Sequence, residues 1–346
     1  MLRPPFVYYG GKQRTASAIA GLLPEHTHYV EPFAGSLAVL LAKKPSRMET
    51  VNDLDGDLML FWRVLRDRPQ ELARVCALTP HSRAERDLAL AHGPELPELE
   101  RARRVWVCLT QGRTGTLRRT GWRFDASDDA HTSMPRRMTG YLERLAGVAT
   151  RLADVSLECR PALEVIAAYG ARRRTLLYLD PPYLGTVRER NYRYEMRAEA
   201  QHRALAEALH DCAATVVVSG YASDLYDREL FAGWHRRELP AATSQGGAWR
   251  DRTEVLWSNR PLRDRATPGA PEPLVPLEPA EEGPGFRYTD PPVGSECNET
   301  PADRCAALDC GKVIRQPATG RRRKHCSPAC RVRAHRHARA AAVERP

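Results

Sequence analysis

Asp180, Pro181, Pro182 and Tyr183 stand in a row directly after the apolar run Leu176-Leu177-Tyr178-Leu179. A short apolar run bounded by prolines reads as a buried strand. The acid then sits where a strand ends, held rigidly yet facing solvent, which is where open parallel sheets bind ligands. The two prolines fix the backbone after it and remove two N–H donors, leaving carbonyl acceptors. Tyr183 adds a flat ring. Two acceptors beside a stacking surface suit a planar group carrying an amine, such as the exocyclic amine of a nucleobase. The same letters also suit a tight turn whose aspartate caps the next helix, and the tetrapeptide alone does not separate the two. A second Asp-Pro-Pro, at Asp290, follows no strand and runs into Val293 rather than an aromatic, so it carries no such reading.

A second group lies at the C-terminus. Cys305 and Cys310, then Cys326 and Cys330, form two close pairs separated by fifteen residues. Cysteine pairs at this spacing suit a tetrahedral structural zinc site. Cys297 and His325 are substitute ligands on the same reading. A segment so small and polar cannot bury an adequate core, so metal would supply its folding energy. Between Gly311 and Val343 there are ten Lys/Arg and no Asp/Glu, which accounts for the whole net charge of +10. Such a basic segment points to a polyanionic partner, nucleic acid before membrane. Arg331, Arg333, Arg336 and Arg339 would lie on a basic helix after the last cysteine. The alternative is a disordered basic tail with reduced thiols. Cys76, Cys108, Cys159 and Cys212 are scattered and read as buried thiols of a reducing compartment.

The elements that must position these residues follow from hydrophobic pattern. The chain has 346 residues, 42% hydrophobic and 28% charged, an ordinary balance for a soluble globular protein. No apolar run reaches membrane-spanning length, and the N-terminal residues MLRPPFVYYGGKQR hold no signal-peptide core. A cytoplasmic protein is expected. Strands are expected at 28–32, 48–53, 155–159, 175–179 and 215–219, alternating with helices at LAVLLAKK, from Asp57, at Ala162–Tyr169 and at Glu199–Cys212. Two further strands near 234–239 and 253–257 would pair antiparallel at one edge. This order argues for a doubly wound α/β sheet. Residues about 68–150 read as a helical insertion, and residues 263–303, rich in Pro, Glu, Gly and Ala, as a flexible linker. Within the insertion, from Arg101 to Arg160, there are twelve Arg and six Asp/Glu. Arg113, Arg118, Arg119 and Arg123 alternate with Thr, Gly and Trp122, residue types able to grip phosphates or read guanine edges. A solvated loop with surface arginines is the alternative.

Four blocks in order carry a resemblance: Tyr8-Tyr9-Gly10-Gly11-Lys12, Val30-Glu31-Pro32-Phe33-Ala34-Gly35-Ser36, Asn52-Asp53-Leu54-Asp55 and Asp180-Pro181-Pro182-Tyr183. With them the chain resembles the Dam-type DNA adenine-N6 methyltransferases over residues about 6–262. The resemblance implies a Rossmann-like methyltransferase sheet with a helical target-recognition insertion, ahead of the small zinc module at 304–340. It implies S-adenosyl-L-methionine as co-substrate and double-stranded DNA as partner. Tyr8, Lys12, the backbone of Phe33, Ala34 and Gly35, and the acids Asp53 and Asp180 would hold the co-substrate, Asp53 on the ribose hydroxyls. Asp180, the Pro181 carbonyl and Tyr183 would receive the adenine. Arg113, Arg118, Arg119 and Arg123 would read the DNA. Many relatives carry a second glycine where Leu37 stands, which weakens the glycine fingerprint here. Gly10-Gly11 as a plain turn and Asp53 as a helix N-cap are the bland alternatives. No Pro-Cys pair exists in the chain, so cysteine-dependent methylation of cytosine carbon 5 is disfavoured. A monomeric enzyme is expected, alone or beside a cognate restriction endonuclease. An inactive methyltransferase-fold regulator and an RNA or protein amide N-methyltransferase are alternatives. The intact Asp180–Tyr183 motif argues against the first, and Asp rather than Asn at its start against the second.

Overall fold

Buried strands read as near-continuous apolar runs when helices cover both faces of a sheet, and that is how this chain folds. The computed structural model describes residues 1–91, 93–124, 132–183, 193, 196, 198–245 and 248–263, all within one unit, Met1–Pro271; for 241–245 and 248–252 it describes the backbone alone. The strands are β1 (His28–Glu31), β2 (Met48–Asn52), β3 (Val155–Glu158), β4 (Thr175–Leu179), β5 (Thr215–Gly220), β6 (His235–Gln245) and β7 (Ala248–Ser258). They form one sheet in the order β3-β2-β1-β4-β5-β7-β6. The first five are parallel, and β7 pairs antiparallel with β5 and with β6. The edge hairpin expected from the sequence is present, with both arms several residues longer than the apolar pattern marks.

The helices are α1 (Ala16–Leu22), α2 (Ala38–Ala42), α3 (Gly56–Asp67), α4 (Pro69–Ala77), α5 (Arg83–Ala89), α6 (Glu98–Gln111), α7 (Met134–Leu152), α8 (Ala162–Tyr169) and α9 (Glu199–His210). Side chains alternate across each strand, so one face of the sheet presents Tyr29, Val51, Leu176, Tyr178, Val217 and Leu256. Helices α1 to α4, α6 and α7 cover this face. The other face presents Val30, Leu177, Leu179, Val216, Val218, Val255 and Trp257 under α8, α9 and a π-helical turn at Leu225–Leu230. The segment expected as an insertion is continuous with the first core: Trp106 and Val105 of α6 and Leu145 and Val148 of α7 belong to the same buried cluster as Phe61 and Trp62 of α3. No helix among the described residues is long and apolar enough to cross a membrane.

Strand order reverses between β1 and β4. From β1 the chain turns one way to β2, while β4 lies on its other side and leads to β5. The crevice beyond the carboxyl ends of β1 and β4 is thus the expected ligand position. Glu31 ends β1 and Asp180 follows β4 there.

Candidate active site

The turn after β1 is pinned from several directions. Ala34 N–H donates to the Asn52 carbonyl at 2.8 Å, and Leu37 N–H closes the turn on the Ala34 carbonyl at 2.8 Å. The Gly35 N–H donates to Oδ2 of Asp53 at 2.9 Å, and its carbonyl accepts from the Trp62 indole at 3.2 Å. Gly35 has φ +47°, and a Cβ there would meet the Tyr8 ring at 3.1 Å. Both facts call for glycine. Leu37 adopts φ +57° and is fully buried. Leu37 thus adopts the left-handed backbone that favours glycine, with its side chain held in the core.

Asp53 does not cap α3. Asp55 does, accepting from the Asp57 and Leu58 N–H groups at 3.1 and 3.3 Å. Asp53 instead accepts from Gly35 and Asp55 N–H groups. Burial pushes its carboxyl up to about 6, while those N–H groups pull the other way. Glu31 is pushed up to about 8, chiefly by burial, against a hydrogen bond from the Tyr29 hydroxyl at 2.9 Å. Both acids line a cavity of about 360 Å³ together with Tyr8, Lys12, the Phe33-Ala34-Gly35 turn, Pro182 and Asp180.

The far end of the cavity is a knot of charges. Among the described residues Asp180 caps no helix: the next described helix, α9, begins at Glu199. Its Oδ1 accepts from the Lys12 ammonium at 2.6 Å and from the Tyr183 hydroxyl at 3.3 Å. Lys12 Nζ is also 2.5 Å from the Tyr183 hydroxyl oxygen and 3.5 Å from Oε1 of Glu254. Oε1 of Glu254 accepts from the Ser219 hydroxyl at 2.6 Å and lies 3.1 Å from the Tyr183 hydroxyl oxygen, whose single proton is shared between Glu254 and Asp180. Burial raises the carboxyl of Asp180 above the usual range; Lys12 opposes that shift and Glu254 adds to it. Burial disfavours the Lys12 ammonium, but Asp180 and Glu254 together outweigh it and hold its pKa above the ordinary value. The Tyr183 ring packs on Tyr221 with centroids 4.6 Å apart. The first and fourth sequence blocks, far apart in the chain, thus meet through Lys12. Gly11 N–H closes a turn on the Tyr8 carbonyl at 3.0 Å, and a Cβ at Gly11 would meet that oxygen and Ser36 Oγ at 3.0 and 3.1 Å, so the turn packs closely on the segment after β1.

Sequence reasoning missed Glu254 and Ser219. The only signal for Glu254 is an acid inside the strand pattern Thr-Glu-Val-Leu-Trp, and nothing near it in the chain points to Lys12. The four arginines lie elsewhere. After α6 the chain folds back on itself, with Arg113 N–H donating to Gly121 and Arg123 N–H to Gln111, both at 2.8 Å. Arg113 and Arg119 are exposed, and Arg118 is half-buried. Arg123 donates to the Arg113 carbonyl at 3.1 Å, and burial lowers its pKa. Trp122 stacks on His81 at 4.4 Å and beneath the Arg83 guanidinium at 4.8 Å, with Phe124 stacked beyond it. This loop joins the cavity wall through the Tyr9 N–H, which donates to the Gly115 carbonyl at 2.9 Å.

Cys305, Cys310, Cys326 and Cys330, with Cys297 and His325, lie outside the described residues. Among the described residues no group of three or more His, Cys, Asp and Glu could hold a metal. Cys76 and Cys108 are buried thiols as expected, whereas Cys159 is exposed.

Residues 8–89 and 132–239 match the family model of the D12 class N6 adenine-specific DNA methyltransferases. The residues between these matched stretches include the arginine loop. Among solved structures the chain resembles precorrin 8w decarboxylase of Methanobacterium thermoautotrophicum, with 9% identity over 75% of this chain and 98% of that one and a TM-score of 0.31. A likeness that slight bears on neither fold nor chemistry.

Proposed function

The chain belongs to the D12 class of N6 adenine-specific DNA methyltransferases, and from that premise we propose how its residues divide the work. The family transfers a methyl group from S-adenosyl-L-methionine to the exocyclic amine of adenine in DNA. Tyr8, Lys12, the Phe33-Ala34-Gly35 backbone and Asp53 hold the co-substrate, with Asp53 accepting from its ribose hydroxyls. The cavity suits that molecule: the Phe33-Ala34-Gly35 turn forms part of its wall, and Asp53 offers an anionic acceptor where the second strand ends.

Asp180, the Pro181 carbonyl and Tyr183 receive the base. Adenine's amino nitrogen is a poor nucleophile because its lone pair is delocalised into the ring. Acceptors for both its hydrogens favour a localised lone pair, aimed at the methyl carbon. Positioning and preorganised charge carry most of this catalysis, and no covalent enzyme intermediate is needed. Inside a duplex the amine is out of reach, so the base is extruded and stacks on Tyr183. Arg113, Arg118, Arg119 and Arg123 grip and read the DNA, with Arg123 mainly shaping the loop.

The observation that supports this division best is the contact between Lys12 and Asp180, which sets the acid of the fourth block at the end of the cavity lined by the other three. Cys305, Cys310, Cys326 and Cys330 bind zinc and hold a basic segment for phosphate contact. That proposal rests on donor chemistry and spacing, and metal analysis of the full chain tests it: about one zinc per chain is expected, and none refutes it. The enzyme acts as a cytoplasmic monomer, alone or with a cognate restriction endonuclease. Sequencing of DNA from cells expressing the protein is expected to show N6-methyladenine in one sequence context, and Asp180→Ala to remove it. Unmethylated DNA from cells making the folded wild-type protein would overturn the assignment.

A further inference from the structure

Glu254 stands outside the four blocks that carry the family likeness and outside the residues that the family model matches. Three polar groups nevertheless converge on its Oε1: Ser219 at 2.6 Å, Tyr183 at 3.1 Å and Lys12 at 3.5 Å. Its side chain is only 5% exposed. A buried carboxylate is costly unless it is paired and hydrogen-bonded. Here two carboxylates, Asp180 and Glu254, face one ammonium. Among the described residues Lys12 is the only cation paired with either. Mere structural neutrality would be met by one acid, so the second calls for a reason.

We propose that Glu254 is a positioning residue for methyl transfer: it fixes the Lys12 ammonium and Tyr183 hydroxyl that together hold Oδ1 of Asp180, and its charge balances Lys12 once Asp180 takes up a proton. The inference deepens the proposed function and rests on it. As the N6 lone pair bonds to the methyl carbon, the carbon–sulfur bond breaks and its electron pair stays on sulfur. N6 then bears two hydrogens, the methyl group and a positive charge. One N–H proton passes to Oδ2 of Asp180, which no described residue bonds, and the N–H electron pair returns to nitrogen. Asp180 becomes neutral. Lys12 and Glu254 remain as one cation against one anion. Without Glu254, the same transfer would leave a buried ammonium uncompensated.

Glu254→Gln keeps the shape and the amide acceptor oxygen and removes the charge. Its kcat is expected to fall ~10–100-fold, within the span of acid–base effects, with KM for DNA and affinity for S-adenosyl-L-methionine held within about twofold. The groups facing Asp180 are Lys12 from the N-terminal loop, Glu31 from β1, Tyr178 from β4, Tyr183, Tyr226 from the π-helical turn and Glu254. With Glu254 neutral, Lys12 acts on Asp180 alone and favours its ionised form. The acidic limb of the kcat–pH profile is therefore expected to move to lower pH. Carboxyl 13C NMR of Asp180 is expected to show the same displacement without turnover. Full activity, or lost activity with both the limb and the Asp180 titration unmoved, would overturn the proposal. If Glu254→Gln does not bind S-adenosyl-L-methionine, Glu254→Asp replaces it. That variant keeps the charge but shortens the reach, so an unmoved limb with lowered kcat is expected, and wild-type kcat refutes the positioning role. An inactive wild-type protein would overturn the assignment of function, while the Asp180 titration would still decide the part played by Glu254.

Discussion

The Lys12 ammonium lies 2.6 Å from Oδ1 of Asp180 and is 6% exposed. This contact ties the N-terminal loop to the end of β4. Burial and Glu254 raise the carboxyl of Asp180, and Lys12 holds that rise in check. Removing the cation should raise it further and leave more of the acid protonated at neutral pH, unable to accept from an amine. Lys12→Met is expected to lose ~100-fold or more in methylation rate near pH 7 and to recover part of it at higher pH. Its acidic limb should thus move up, opposite to that of Glu254→Gln. A kcat–pH series on both variants checks the sign, and limbs moving the same way would refute the electrostatic account.

Asp53 offers a second pH signature. Its carboxyl is pushed up to about 6 by burial, although Gly35 and Asp55 N–H groups favour the anion. Below that pH the group is largely protonated and loses the acceptor character proposed for ribose binding. Affinity for S-adenosyl-L-methionine is expected to fall as pH drops from 7.5 to 5, and Asp53→Asn to flatten the dependence while binding about tenfold more weakly throughout. Calorimetric titration across that range measures both. A pH-independent wild-type affinity would remove Asp53 from the ribose site.

Leu37 sets two costs against each other. A left-handed backbone at a non-glycine residue costs roughly 1–2 kcal/mol, so glycine would relieve strain. Deleting a fully buried leucine side chain costs roughly 3–5 kcal/mol in lost burial and cavity formation. Packing should win, and Leu37→Gly is expected to destabilise the protein by about 1–4 kcal/mol in urea unfolding. A more stable variant would mean that strain, not packing, governs this turn.

The arginine loop should be separable from the methyl-donor site. Arg113 and Arg119 are exposed. Reversing both to Glu replaces two cations proposed to contact phosphate with two anions, and DNA affinity is expected to fall ~10–100-fold at low salt with a weaker salt dependence. Affinity for S-adenosyl-L-methionine should not change. Filter binding across a salt series tests this, and unaltered DNA affinity would place the recognition surface elsewhere.

The sheet and the acid that follows β4 were legible because strands buried on both faces must be apolar along their length, as Leu176–Leu179 and Val216–Val218 are. Gly35 was legible as a motif glycine at a strand–helix turn, but its backbone angle and its clearance to Tyr8, which call for glycine, appear only in the fold. Glu254 was not: its partners Lys12, Tyr183 and Ser219 come from three other segments, and only the pairing of β5 with β7 brings it near them. Nor did pattern reveal that α6 and α7 share a core with the sheet. A helix periodicity states which face is buried, not against what. That Asp55 rather than Asp53 caps α3 was equally closed to the sequence, since both are acids beside the same helix start.

Gly115 tests whether the arginine loop and the cavity wall move as one. It lies at φ +63°, where a Cβ would fall 2.8 Å from the Val7 carbonyl oxygen and 2.9 Å from Val7 Cγ1. The first of these is backbone and cannot yield by a rotamer change. Alanine there must displace Val7 or distort the loop, and the next residues, Tyr8 and Tyr9, are bound in: Tyr8 packs on Gly35, and Tyr9 donates to Gly115 itself. Displacement at Val7 is thus passed directly to the cavity wall. Gly115→Ala is expected to weaken S-adenosyl-L-methionine binding ~10-fold, the equivalent of about 1.4 kcal/mol and within the strain such a position imposes, although residue 115 itself belongs to the arginine loop. If the variant binds the co-substrate as the wild type does, the loop yields instead of Val7, and the two sites are mechanically independent.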